Sequence, residues 1–172
     1  MNVNIEQKGI EAWRAFLEVH AAVIRVLERE MAEEQGLPLT WYDILAHLDR
    51  APQGRLRMQA LAECLLLSRS GVTRLVDRME QAGLVRRESC PDDRRGCYTI
   101  ITQDGRLALR RAMPGHLRGI QRHFLHHLND QDIGALQLAL SKVLRGENGA
   151  KTRPSSLSRG FQSCQPCRQD EP

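Results

Sequence analysis

The sequence predicts a mainly α-helical fold carrying one small β-hairpin, and three observations lead there. Apolar residues recur at three- and four-residue steps through most of the chain. That period gives way to alternation in one region, between Leu84 and Thr102. Aromatic residues make up only 4% of the 172 residues, so the 41% hydrophobic content must build its core from Leu, Val, Ile and Ala, which favours helices. A chain of this length is one domain's worth, with room for a real core.

The first helix is predicted over about 5–34, a stretch without Pro whose one Gly, Gly9, lies near its start. Ile10, Trp13, Leu17, His20, Ile24, Leu27 and Met31 form one stripe on it, and Ala12, Phe16, Val19, Val23 and Val26 form a second beside it. A helix covering a single core needs one apolar face, so two stripes predict that this helix meets both its own domain and a second surface. Gly36-Leu37-Pro38-Leu39-Thr40 ends it, and Thr40 is expected to cap a helix from Trp41 to about Asp49. Ala51-Pro52-Gln53-Gly54 reads as a turn.

Met58, Leu61, Ala62 and Leu65 then define a short helix. Ser68 is placed to cap the next, whose apolar side is Val72, Leu75, Val76, Met79 and Ala82, and Gly83 is suited to close it in the left-handed conformation. Leu84–Ser89 and Cys97–Thr102 read as two strands joined by the loop Cys90-Pro91-Asp92-Asp93-Arg94-Arg95-Gly96. Thr102 is expected to cap a long helix with Leu109, Met113, Leu117, Ile120 and Phe124, bent near Pro114. Asn129 with Asp132 opens a last helix bearing Ile133, Leu136, Leu140 and Val143. From about Gly146 the chain turns polar and loses periodicity, which predicts a disordered tail over 147–172.

Two short helices joined by a tight turn and followed by a hairpin is the order of a winged helix-turn-helix. The side of the second helix opposite its apolar stripe carries Arg69, Ser70, Thr73, Arg74, Asp77 and Arg78, with Ser68 at its start. Small hydroxyls and guanidinium groups at a helix N-terminus can approach phosphates and base edges closely. Arg94 and Arg95 sit at the hairpin tip, where a guanidinium can enter the narrow minor groove. The neighbouring aspartates would oppose DNA unless one pairs with one of these arginines, leaving the other to project; the sequence does not say which. The net charge of +4 and a pI near 9.0 agree with a polyanionic partner. Lys8, Lys142 and Lys151 are the lysines and every other basic residue is Arg.

The stretch Leu61-Ala62-Glu63 through Ser68-Arg69-Ser70-Gly71-Val72-Thr73-Arg74-Leu75-Val76-Asp77-Arg78-Met79-Glu80, then Gly83-Leu84-Val85-Arg86-Arg87, resembles the MarR family of bacterial regulators. So does Pro91-Asp92-Asp93-Arg94-Arg95-Gly96, followed by Ile101-Thr102 and Gly105. The resemblance covers about 10–145. It implies a winged helix-turn-helix domain over 1–146, with a DNA-binding lobe at about 38–102 and dimerisation helices at about 5–34 and 103–146. It further implies a homodimer reading a palindrome in double-stranded DNA, and a repressor relieved by a ligand or by oxidation. The tail, and Leu66-Leu67 at the inter-helix turn, depart from the family's pattern.

In that family small aromatic effectors bind between the dimerisation helices and the DNA-binding lobe, which makes Trp13, His20, Trp41 and Tyr42 the candidate lining; aromatics at helical spacing also serve simply as core. For oxidation the candidates are Cys64, on the first helix of the pair, and Cys90 and Cys97, expected to face each other across the hairpin; a thiol near arginines has a lowered pKa. His123 and His127 stand one helical turn apart, but no carboxylate completes a zinc set, and Cys164-Gln165-Pro166-Cys167 is a lone pair, so no metal and no cofactor is expected. The sequence holds no glycine-rich phosphate loop, nucleophile elbow or double Cys pair, so an enzyme is not expected. The readings set against a DNA-binding regulator are a winged helix that binds proteins and a metal-responsive regulator. With no long apolar run, no signal-peptide stretch and an odd number of cysteines, a cytoplasmic protein with reduced thiols is expected.

Overall fold

The computed structural model describes residues 3–65, 67–90 and 93–149. Six helices and three strands follow in the order α1 (Val3–Gln35), α2 (Leu39–Arg50), β1 (Arg55–Arg57), α3 (Met58–Leu65), α4 (Arg69–Gln81), β2 (Val85–Cys90), β3 (Asp93–Ile101), α5 (Gln103–His123) and α6 (Asp130–Gly149). The chain divides into two units between Ile133 and Gly134, a division that α6 straddles. The first unit holds the core described below.

That core lies where α2, α3, α4 and the sheet meet the second half of α1 and the first half of α5. Ile44, Leu45 and Leu48 of α2, Leu61 of α3, Val72, Val76 and Met79 of α4, Val85 of β2 and Leu109 of α5 are buried together. Each side chain of this kind contributes roughly 1.5–3 kcal/mol through burial. The stripe read on α4 is therefore its core face, and its polar residues are turned outward. Helix α1 divides along its length rather than between its two stripes. Leu27 and Met31 are buried and Val23 and Ile24 are packed against the core, whereas Ile10, Trp13, Phe16, Leu17 and Val19 are exposed.

Most helix ends follow their local chemistry. Ser68 Oγ accepts from the Gly71 N–H at 3.1 Å and caps α4. The other end of α4 closes as a Schellman turn, with Gly83 at φ +73°, its N–H donating to Glu80 O, and the Leu84 N–H donating to Met79 O. Thr102 caps α5 by accepting from the Gly105 N–H at 3.0 Å. Asn129 Oδ1 accepts from the N–H groups of Gln131 and Asp132, and Asp132 reaches back to the Asn129 N–H, a reciprocal capping box for α6. Helix α5 continues through Pro114.

Four expectations need correction. Thr40 does not cap α2, which starts at Leu39; the N–H groups of Trp41 and Tyr42 both donate to Pro38 O, and Pro38 supplies the non-helical entry residue. The sheet has three strands in the order β1-β3-β2, because Arg55–Arg57 pairs antiparallel with Tyr98–Ile100. A three-residue strand is too short to show alternation, so only its partner reveals it. Strand pairing runs further along the hairpin than the loop 90–96 expected from sequence. Strand β3 begins at Asp93, which pairs with Cys90 after a register shift at Ser89/Cys90, so Arg94 and Arg95 belong to the strand. The same register sets Cys97 opposite Ser89, so Cys90 and Cys97 are not cross-strand partners.

Candidate nucleic-acid interface

The candidate interface starts from α4. Its core side is fixed by Val72, Val76 and Met79, and the 3.6-residue period then turns Arg69, Ser70, Thr73, Arg74 and Arg78 to solvent. Ser68 is exposed at the helix start, with its Oγ 3.2 Å from Ser70 Oγ. Thr73 Oγ1 donates to Arg69 O at 2.8 Å and Arg78 Nε donates to Arg74 O at 3.3 Å, so both side chains lie along their own helix. The N-terminal turn carries no acidic residue, so the positive end of the helix dipole and Arg69 act in the same direction. This surface suits an extended polyanion.

Arg87 on β2 holds the hairpin to α4, a role the sequence did not suggest. Its guanidinium lies 2.6 Å from Asp77 and 3.4 Å from Glu80, and it donates to Thr73 O at 3.2 Å. The Arg87 backbone N–H also donates to Glu80 Oε1 at 2.8 Å. Asp77 and Glu80 are thereby engaged by the hairpin, and their negative charge is offset beside the arginine-bearing face of α4. The signal available in sequence was an Arg on the first strand following acidic residues on the preceding helix, which becomes specific only once the strand's register is known.

Below this joint, Thr99 is fully buried and donates to Met58 Sδ at 2.9 Å, linking the sheet to the start of α3. Thr102 Oγ1 donates to Gly83 O at 2.7 Å, so one hydroxyl joins the end of α4 to the start of α5. The backbone of Arg94 and Arg95 lies in β3, while their side chains and that of Cys90 lie outside the described residues. The motif Cys164–Cys167 and residues 150–172 lie outside them as well.

The four aromatic candidates fall into two groups. Trp13 is 59% exposed on α1, its ring stacked on Phe16 at 5.9 Å, and Phe16 in turn lies 6.3 Å from the exposed His20. Trp41 is half-buried against the core, and Tyr42 is 6% exposed with its ring 4.4 Å from that of His116. Among the described residues no ring contact joins Trp13 or His20 to Trp41 or Tyr42. Beside His116, α1 and α5 leave only a shallow surface depression with no enclosed room for a water molecule, lined by Leu27, Glu30, Met31, Glu34, Gln35 and Gly115. Burial pushes the His116 imidazole below its ordinary pKa, and its Nδ1 is buried with no hydrogen-bond partner.

Cys64 and Cys97 are half-buried. His123 is bound to Glu30, its Nε2 2.7 Å from Oε1, and Arg122 adds a second contact at 3.3 Å. These contacts hold the Glu30 carboxyl below its ordinary value, the His123 hydrogen bond contributing most. Helix α5 ends at His123 and His127 lies in a separate 3-10 turn, so the two imidazoles do not share a helix face. No cluster of three metal-binding side chains occurs among the described residues. No described helix is long and apolar enough to cross a membrane.

Comparison with known proteins adds an independent line. Residues 35–96 match the family model described as MarR family. The chain is similar to AbsC, a MarR family transcriptional regulator from Streptomyces coelicolor, with 34% identity over 87% of this chain and 98% of that one and a TM-score of 0.74. It is also similar to Sco3205, a MarR family transcriptional regulator from the same organism solved in complex with DNA, with 30% identity over 92% and 94% of the two chains and a TM-score of 0.72. A relative from Bacillus subtilis, the organic hydroperoxide resistance transcriptional regulator, is 29% identical over 67% of this chain and 80% of its own length.

Proposed function

This chain belongs to the MarR family of transcriptional regulators, and from that premise we propose that it is a homodimeric repressor that reads a palindromic site in double-stranded DNA. The observation that carries the reading is the outward face of α4, with Arg69, Ser70, Thr73, Arg74 and Arg78 exposed beside a hairpin that Arg87 locks to the same helix. In this reading α4 enters the major groove, Arg74 contacts a base edge, Ser68 and Arg69 contact phosphates, and one of Arg94 and Arg95 at the end of the hairpin reaches the minor groove while the other is held by a neighbouring aspartate. Sco3205, solved with DNA, supports the partner class.

The second copy is proposed to cover the exposed α1 residues Ile10, Trp13, Phe16, Leu17 and Val19, an apolar surface that a monomer would leave in water. A two-fold dimer presents two copies of α4, which is why a palindrome is the expected site. Release from DNA is assigned to a small aromatic ligand or to thiol oxidation. Trp13, His20, Trp41 and Tyr42 are the residues proposed to line the ligand crevice between the dimerisation helices and the DNA-binding lobe. Cys64, Cys90 and Cys97 are the thiols proposed for oxidation, and the similarity to an organic hydroperoxide resistance regulator favours that branch.

The test is titration of the purified protein with the duplex upstream of its own coding region over a range of NaCl concentrations, with and without hydroperoxide or phenolic compounds. DNA affinity should fall linearly on a log–log plot through counterion release. Arg74→Ala should lower affinity and relax base preference by about 1–3 kcal/mol at one position of the site. Joint replacement of Arg94 and Arg95 by Ala should weaken all sequences alike. A protein that ignores every duplex at low salt would overturn the reading.

A further inference from the structure

The edge strand β1 carries a basic surface that the reading above does not use. Arg55 and Arg57 are two residues apart in a strand, so they share one side of the sheet, with Leu56 on the other. In register, Arg57 pairs with Tyr98, which pairs with Glu88, while Arg55 pairs with Ile100, which pairs with Arg86. Both guanidinium groups gather at the Tyr98 ring, their carbons 4.9 Å and 5.6 Å from its centroid for Arg55 and Arg57 respectively, and Arg57 Nε contacts the Tyr98 hydroxyl at 3.5 Å. Arg86 on the same side is paired with Glu88 at 2.8 Å. Arg87 and Thr99 lie at the alternate positions, directed towards α4 and α3.

We infer that Arg55 and Arg57, held on Tyr98, form a second DNA-backbone contact that grips phosphates flanking the segment read by α4. The inference rests on the DNA-binding reading and extends it to a surface on the opposite side of the sheet from α4. Three features favour duplex phosphate as the occupant. The side is cationic, with Glu88 already engaged by Arg86. Stacking on an aromatic ring pre-orders a guanidinium, so less freedom is lost when its N–H fork meets a phosphate. Two guanidinium groups over one ring repel each other, and an anion shared between them lowers that cost. The Tyr98 ring is occupied by these cations, which disfavours apolar docking of a protein.

The experiment compares two operator duplexes, one limited to the palindrome and one extended by about one helical turn, roughly 10 base pairs, on each side. The wild-type protein should bind the extended duplex more tightly. Replacing Arg55 and Arg57 together by Gln should remove that advantage and lower the log–log salt slope on the extended duplex by about 2, with base preference and short-duplex affinity unchanged. Arg55→Gln alone should lower the slope by about 1, which keeps the test usable if the double variant folds poorly. Tyr98→Phe should behave as wild type, while Lys at both positions should retain the slope and lose part of the affinity.

An unchanged slope on the extended duplex overturns the inference. If the double variant keeps the slope but aggregates, the arginines guard an exposed strand edge instead. Failure of the wild-type protein to bind either duplex would remove the DNA reading itself, an outcome distinct from loss of the flank effect alone.

Discussion

Arg87 and Asp77 meet at 2.6 Å across the boundary between the hairpin and α4. The same guanidinium reaches Glu80 and Thr73 O, so one side chain on β2 grips three points of the helix proposed to enter DNA. Its planar fork suits several acceptors at once. Arg87 touches no DNA in the proposed arrangement; it sets the angle at which hairpin and helix are presented.

Arg87→Ala should therefore cost little stability, about 1 kcal/mol, because its ion pairs are partly solvated. DNA affinity should fall further than stability does, since the hairpin loses its fixed position. Lys should not restore it, because a compact ammonium lacks the planar fork whose two terminal nitrogens reach Asp77 and Glu80 on one side and Thr73 O on the other. Thermal melting and operator titration of both variants check this, and wild-type affinity in Arg87→Lys would refute the fork argument.

Thr102 offers a second test. Its hydroxyl donates to Gly83 O and accepts from Gly105 N–H. Thr102→Val should cost about 1 kcal/mol or somewhat more, while Ser should retain most of the wild-type stability. Gly105→Ala should be worse than either, about 3 kcal/mol, because its new methyl would collide with Leu84 O, and backbone cannot step aside as a flexible side chain can. Urea unfolding midpoints rank the three variants.

Stability should fall on mild acidification. His116 is held below its ordinary 6.5 by burial, so the unfolded chain takes up its proton first. The stabilisation is full above pH 6.5 and is lost as pH falls from there towards the lower folded value. His47 is lowered too, by burial and then by Arg50, and adds to the same slope. Urea midpoints at pH 7.5 and 5.5 should differ less in His116→Phe than in the wild type. Glu30 acts in a lower window: its stabilisation holds above its ordinary 4.5 and disappears as pH falls through the depressed folded value, a component that Glu30→Gln should remove.

Phe16→Glu and Leu17→Glu test the α1 surface. Both positions are exposed, so neither change should disturb the core of one chain. If a second copy covers them, burying the new carboxylates is costly and light scattering should report monomers at concentrations where the wild type is dimeric. DNA affinity should fall in parallel because two linked copies of α4 are lost. A wild-type mass distribution in both variants would exclude this face from the interface.

Much of the local structure was legible in the residues. The helices, the caps at Ser68, Thr102 and Asn129, the left-handed Gly83 and the outward arginines of α4 all follow from period and from short side-chain-to-backbone bonds, which act within a few residues of chain. The family motif lies in the same stretch. Thr40 misled because a capping residue type counts only where the backbone turns, and Pro38 turned it sooner.

The rest came from contacts between distant parts of the chain. Strand β1 exists because β3 pairs with it, Arg87 matters because register brings it to Asp77, and Tyr98 gathers two arginines 41 and 43 positions away in sequence order. Register also separated Cys90 from Cys97. Amino-acid order determined which segments coil, where they stop and which side of each is apolar, since those outcomes depend on neighbours along the chain. Packing decided which charged groups meet, because strand register and helix docking are chosen by the burial of the whole core.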